Sequence, residues 1–208
     1  MVIYTYIKLF IGGLWRNITN VEKKLDYFVE DICKYNNFTQ DKTEEIQYVM
    51  RVMMYEIFKI ITIMIIFSML GYFKEVVLII FTMSCVKPFT GGYHETSQKR
   101  CLIATTTLCC LTILIAKNSN LNLVSTILIS SINIFCIYHQ APIVNKCMPI
   151  TKSSLIKKNN KIALINSIIL SMISIFIIKY GVYSNIITWT LTINVCLMFN
   201  SKKHGEVQ

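Results

Sequence analysis

Lys87-Pro-Phe-Thr-Gly-Gly-Tyr-His-Glu-Thr-Ser-Gln-Lys-Arg-Cys101 is a fifteen-residue polar interruption between two apolar runs, Val76–Val86 and Leu102–Ala116. Further apolar runs occupy Ile57–Tyr72, Leu121–Tyr138, Ile162–Ile178 and Val182–Phe199. A membrane-crossing helix needs roughly 17–25 predominantly apolar residues, and four of the six runs approach or reach that range. Val76–Val86 and Leu102–Ala116 are short. The polar stretch between them is therefore expected in a locally thinned or partly re-entrant region. The predicted fold is all-α: a polytopic membrane helical bundle of about six membrane segments, preceded by an amphipathic N-terminal helical region.

Bulk composition agrees. A mean hydropathy of +0.53 with 15% charged residues is too apolar for an ordinary soluble fold. The formal charge of +10 is distributed by connection and not along one face. Of 21 Lys and Arg, only Lys74, Lys117 and Lys179 fall in one set of alternating connections, which leaves 18 on the other side. The positive-inside rule then places both termini, the Lys87–Cys101 loop and the Ala141–Lys161 loop in the cytosol. A topological origin for the charge argues against a nucleic-acid partner.

The chain divides into interfacial and amphipathic helices over 1–56, a membrane domain over 57–200 and a cytoplasmic tail over 201–208. Met1–Gly13 has neither the basic leader nor the small-residue cleavage site of a signal peptide. Residues 1–20 read as an interfacial segment. Val21, Leu25, Phe28, Val29 and Ile32 recur at helical spacing, with Glu22, Lys23, Lys24, Asp26, Glu30 and Asp31 on the other side. Such a helix would lie on the membrane or against the bundle. Asp41 or Thr43 could cap the next helix, with Glu44 and Glu45 in its first turn. Arg51 and Glu56 are five apart and share no face, so Arg51 and Lys59 are read as snorkelling.

The eight cysteines lack paired spacings, which argues against a disulfide framework or a zinc ribbon. Cysteine chemistry requires a thiolate, formed when an imidazolium or basic group lowers the thiol below its free value of about 8.5. Cys101 alone combines a polar, basic setting with a histidine nearby in sequence, His94. In one unbroken helix the two would lie about 10 Å apart along the axis, so the chain between them must bend or start a helix at an angle. Thr96 or Ser97 could cap that helix, and Gly91-Gly92 could take positive φ or allow close backbone approach. The alternatives are a connecting loop in which Cys101 merely opens a span, or a metal site recruiting Cys136 and His139. His94 and Cys101 supply only two of the four ligands a structural zinc needs. No metal or cofactor is expected.

The Gly91-Gly92-Tyr93-His94 run with cysteine seven residues after the histidine resembles the signature of the accessory gene regulator B (AgrB-type) family. Gln47-Tyr48 through Lys59, and the Ala141-Pro142 to Pro149 loop with Asn145 and Lys146, resemble it too. The likeness covers roughly Leu25 to Phe199. These are integral-membrane cysteine endopeptidases that process quorum-sensing propeptides in Gram-positive bacteria. The resemblance implies His94 and Cys101 as catalytic residues. Lys87, Gly91, Gly92 and Lys146 are its candidate substrate-binding residues, and Lys87 stands where the family often has arginine, keeping the charge but losing a bidentate fork. An AgrD-type amphipathic propeptide would be the substrate, cleaved toward its C-terminal side through a Cys101 thioester that closes into a thiolactone or lactone ring. Glu95, Gln98, Gln47 and Glu56 are unranked candidates to orient His94, and amides near Cys101 are candidate oxyanion donors. The basic cluster Lys152, Lys157, Lys158 and Lys161 is compatible with binding the anionic heads of membrane lipids or an acidic peptide, and a homodimer would give the short spans lateral cover. Two rival readings are a non-enzymatic transporter or assembly subunit, and a thiol acyltransferase acting on lipid.

Overall fold

The computed structural model describes residues 21–91, 97–143 and 153–203. The chain forms two compact units, Met1–Ile60 and Ile61–Gln208. Helix α1 covers 21–35 and α2 covers Gln40–Met69. Then follow α3 (Phe73–Thr90), α4 (Gln98–Asn118), α5 (Leu123–Gln140), α6 (Ser153–Phe176), a 3-10 turn (Ile178–Tyr180) and α7 (Val182–Lys203).

In the first unit, α1 ends where Asn37 takes φ 54° and the Asn36 amide donates to the Ile32 carbonyl at 2.8 Å. Asparagine tolerates the left-handed conformation that closes a helix. The turn lets α2 fold back along α1. Val29 and Cys33 are buried between them. Arg51 Nε meets Asp26 Oδ1 at 2.8 Å, Gln47 Nε2 donates to the Asp26 carbonyl, and the Tyr55 hydroxyl donates to Glu22 at 2.8 Å. These bonds correct two expectations. Glu22 and Asp26, assigned to the outer polar face, turn toward α2, while Val21, Phe28, Ile32 and Tyr35 are exposed. Arg51 and Lys59 do not snorkel alone: Arg51 pairs with Asp26, and Lys59 Nζ lies 2.6 Å from Glu56 Oε1, one turn back. An acidic partner 25 positions upstream cannot be read from helical spacing. Both pairs are partly exposed, so each contributes at most about 1 kcal/mol.

The second unit buries polar side chains and exposes apolar ones. On α5, Thr126, Ser130, Asn133 and Ile137 face inward, while Ile127, Leu128, Ile132 and Phe135 face out. A soluble bundle would reverse this, because lipid offers no hydrophobic penalty for an exposed leucine. Inside, Ser174 Oγ of α6 sits 3.0 Å from Ser184 Oγ and 2.8 Å from Thr188 Oγ1 of α7, and Asn133 of α5 donates to Thr192 at 3.0 Å. Such interhelical bonds average about 0.6 kcal/mol each, and the small residues let the backbones approach. Helix α7 is central and packs against α3, α4, α5 and α6.

Among the described residues, five helices are long and apolar enough to cross a membrane: α2, α4, α5, α6 and α7. The sixth apolar run lies in α3, which carries Lys74, Glu75 and Lys87 near its ends. α3 buries Val76, Ile79, Thr82, Met83, Val86 and Thr90 among its neighbours. The run Leu102–Ala116 is not undersized. It is the middle of the 21-residue α4, whose polar ends Gln98 and Asn118 continue the helix beyond the apolar count.

Candidate active site

The polar interruption is shorter than the sequence implies. Helix α3 continues through Lys87, Pro88 and Phe89 to Thr90, and α4 begins at Gln98. Proline removes a backbone donor and weakens the preceding turn, so its carbonyls need other partners. The Asn166 amide of α6 donates to the Cys85 carbonyl at 2.6 Å, and the Thr90 hydroxyl donates to the Val86 carbonyl at 3.2 Å. The carbonyl that Pro88 deprives of its helical donor is that of Ser84; Asn166, 81 positions from Cys85, adds a bond from α6 to the next carbonyl of that turn.

Gly91 terminates α3 with φ 67° and ψ −148°, its N–H donating to the Lys87 carbonyl at 3.1 Å. Only glycine adopts this conformation readily. Gly91 also forms a parallel bridge with Ile143, whose N–H donates to the Thr90 carbonyl at 2.9 Å. A Cβ on Gly91 would collide with the Ile143 carbonyl oxygen. Both roles foreseen for a glycine here, positive φ and close approach, fall on Gly91. The bridge joins the two polar connections at one end of the bundle. Asn160 of α6 secures the other partner, donating to the Ala141 and Tyr138 carbonyls.

Cys101 lies in the first turn of α4 and is half-buried; its N–H donates to the Ser97 carbonyl at 2.9 Å. Its carbonyl accepts from the Thr105 hydroxyl at 2.8 Å. Ser97 is extended, with φ −121° and ψ 134°, so α4 starts afresh there and is not a continuation of the preceding chain. Ser97 occupies the capping position without a side-chain capping bond. A helix start presents amides that lack intrahelical acceptors and favours negative charge, as a thiolate or an oxyanion requires. Lys87 is half-buried in the last turn of α3, where the helix C-terminus favours a cation.

The Asn185 amide of α7 donates to the Ala116 carbonyl at 3.1 Å, and Asn194, nine residues on, donates to Thr90 Oγ1 at 3.2 Å.

His94, Gly92, Glu95 and Lys146 lie outside the described residues. Among the orienting candidates, Gln98 is exposed in the first turn of α4, Gln47 is bonded to the Asp26 carbonyl and Glu56 to Lys59. The His139 ring stacks at 4.4 Å on Phe135 and edge-on to Tyr138. Asn160, Asn166 and Asn194 were not singled out in the sequence. Their one signal was a strong hydrogen-bonding amide inside or beside an apolar run.

The sequence profile of the Accessory gene regulator B family matches residues 25–199. The chain is also 39% identical, over 186 residues, to an AgrB-like protein of Clostridium perfringens (strain 13 / Type A). That alignment covers 89% of this chain and all of the relative. No solved structure matches.

Proposed function

The chain belongs to the accessory gene regulator B family, and from that premise we infer that it is a multi-pass membrane cysteine endopeptidase that cleaves and cyclises a quorum-sensing propeptide. One observation carries this reading most directly: Cys101 opens α4 at the end of the bundle where Gly91 is joined to Ile143.

In this mechanism His94 takes the proton from Cys101 Sγ, and the thiolate attacks a peptide carbonyl toward the C-terminal side of the substrate. The tetrahedral oxyanion is held by amides at the start of α4. Collapse breaks the C–N bond; the departing amine takes the proton from His94, leaving an acyl thioester on Cys101. A cysteine within the bound peptide then loses its proton to His94 and attacks that thioester. The thiolactone forms, and Cys101 recovers the proton. A serine nucleophile would give the lactone. Thioester exchange is nearly isoenergetic, so the acyl energy is retained in the ring.

Lys87, Gly91, Gly92 and Lys146 would position the peptide. The charge distribution puts the joined connections on the cytosolic side, where Lys157, Lys158 and Lys161 meet anionic lipid heads. A homodimer would cover the lateral faces. The test is mass spectrometry of the Cys101-containing fragment after membranes are exposed to an amphipathic peptide with an internal cysteine and an acidic tail. A thioester adduct and a released C-terminal fragment are expected from the wild type and neither from Cys101→Ala. Unchanged processing by Cys101→Ala overturns the reading, and an acyl chain without peptide on Cys101 replaces it with lipid acyl transfer.

A further inference from the structure

The geometry points to Asn194 as a positioning residue that fixes the Gly91–Ile143 junction through Thr90; this rests on the peptidase reading above. Thr90 is fully buried and ties three segments together. Its carbonyl accepts from Ile143, its hydroxyl donates to the Val86 carbonyl, and that same hydroxyl oxygen accepts from Asn194 Nδ2 at 3.2 Å. The end of α3, the segment after α5 and the middle of α7 therefore share one residue. The next residue is the positive-φ glycine from which the chain leaves toward Ser97 and Cys101.

Helix adhesion alone does not account for Asn194. It is 2% exposed, and its Oδ1 has no hydrogen-bond partner among the described residues. A buried acceptor left unmade costs about 1–3 kcal/mol, whereas an apolar side chain of similar shape can fill such a place nearly neutrally. Asn185, on the same helix, sends its amide to two carbonyls, Ala116 at 3.1 Å and Ser119 at 2.6 Å, as a residue serving adhesion should. Asn194 instead directs its amide to one hydroxyl, with its Oδ1 unmatched among the described residues. The bond is directional where packing is not: with the Val86 carbonyl it fixes the Thr90 side chain, and so ties α7 to the residue whose own carbonyl takes the Ile143 N–H. Its amide bonds Thr90 Oγ1, so it acts through Thr90.

The full chain in nanodiscs is treated with iodoacetamide at pH 7 and pH 9.5, and alkylation of each cysteine is followed by mass spectrometry. Cys109, 0% exposed in the core, reports the fold by staying protected. His94→Ala is expected to slow Cys101 alkylation at pH 7 by at least about tenfold, as when imidazole assistance is withdrawn from a thiol, and little at pH 9.5. Asn194→Ala and Thr90→Val should reproduce that pH-selective loss with Cys109 still protected. Thr90→Ser keeps the hydroxyl and should restore the wild-type ratio. Asn185→Ala should leave the ratio unchanged.

If His94→Ala slows Cys101 but Asn194→Ala and Thr90→Val do not, the positioning role is overturned and the peptidase reading stands. Equal slowing by Asn185→Ala, or slowing accompanied by exposure of Cys109, also overturns it, since either marks general loosening. If His94→Ala has no effect, the peptidase reading fails and the positioning role falls with it.

Discussion

The two ends of the membrane unit use similar residues to opposite effect. At the α4–α5 end, Asn185 sends two bonds to the Ala116 and Ser119 carbonyls, the Trp189 indole donates to Ser119 Oγ at 2.9 Å, and the Asn122 side chain caps Ser125 at 2.8 Å. Lys117 lies over the Tyr72 ring at 4.2 Å. That turn is closed: the polar groups named are spent on holding it. At the other end α3 runs through Pro88, is closed by a glycine whose Cβ would strike the Ile143 carbonyl, and is backed by an asparagine whose Oδ1 has no partner among the described residues. Functional segments are drawn from the less stable parts of a fold, and rule-breaking local choices concentrate there. On the proposed function, the first end holds and the second reacts.

The largest expected effect breaks the comparison chemically. Cys101→Ala should abolish peptide processing, a loss of more than about a thousandfold for a nucleophile, with thermal unfolding in detergent unchanged. Cys110→Ala, in the same helix but exposed on its flank, should process normally. Loss of activity in both would mean that α4 as a whole, and not its first turn, is sensitive.

Next comes a contrast of glycines. Gly71 and Gly91 both have positive φ, 77° and 67°, at opposite ends of α3. A Cβ at Gly71 meets nothing within 4 Å, while at Gly91 it strikes the Ile143 carbonyl. Gly71→Ala should therefore cost about 1–2 kcal/mol, the backbone penalty alone. Gly91→Ala adds a backbone collision to strain of about 1–3 kcal/mol and should also remove most peptide processing. Thermal unfolding and propeptide cleavage, measured on both, check this. Equal effects on cleavage would remove the special status of the Gly91 junction.

How far this asymmetry could be read from the sequence depends on the residue. Gly91 was legible, because two glycines before a polar run can serve only a few backbone purposes. That Lys87–Cys101 and Ala141–Lys161 share an end was legible from the lysine distribution, and the Gly91–Ile143 bridge places them together. Pro88 misled. A proline beside polar residues reads as loop, yet α3 runs through it to Thr90, with a donor from another helix, Asn166, bonded to the Cys85 carbonyl in the turn before it. Nothing local to residues 84–90 encodes that donor. Asn166 and Asn194 stand in apolar surroundings, where a lone amide reveals that it has a partner but not which one, and Asn160 stands beside Asn159 among lysines, where it reads as solvated. Arg51 failed similarly, since its partner Asp26 lies across a helical hairpin.

A smaller effect sharpens the structural end. Asn185→Ala removes two bonds to carbonyls at the α4–α5 turn and should lower stability by about 1–3 kcal/mol, the cost of stranding buried acceptors. Turnover per folded molecule should not change. Reduced turnover in the folded fraction would show that the two ends communicate through α7, and the division drawn above would have to be given up.

The smallest effect tests how evenly the closed turn shares its load. Trp189→Phe keeps most of the ring but deletes the indole N–H that donates to Ser119 Oγ. Ser119 Oγ also contacts the Ala116 carbonyl at 3.4 Å, so its hydroxyl retains a hydrogen-bond partner. The loss should then be near the average of about 0.6 kcal/mol for a hydrogen bond between helices in a membrane. A double-mutant cycle of Asn185→Ala with Trp189→Phe measures the coupling directly, because both side chains converge on Ser119. Coupling well above the Trp189→Phe effect itself would identify Ser119 as a single shared latch, so that losing either donor frees the residue on which the other depends. Additive losses would mean that α7 is pinned to the turn at two independent points, whereas its side-chain bond to Thr90 runs through the single amide of Asn194.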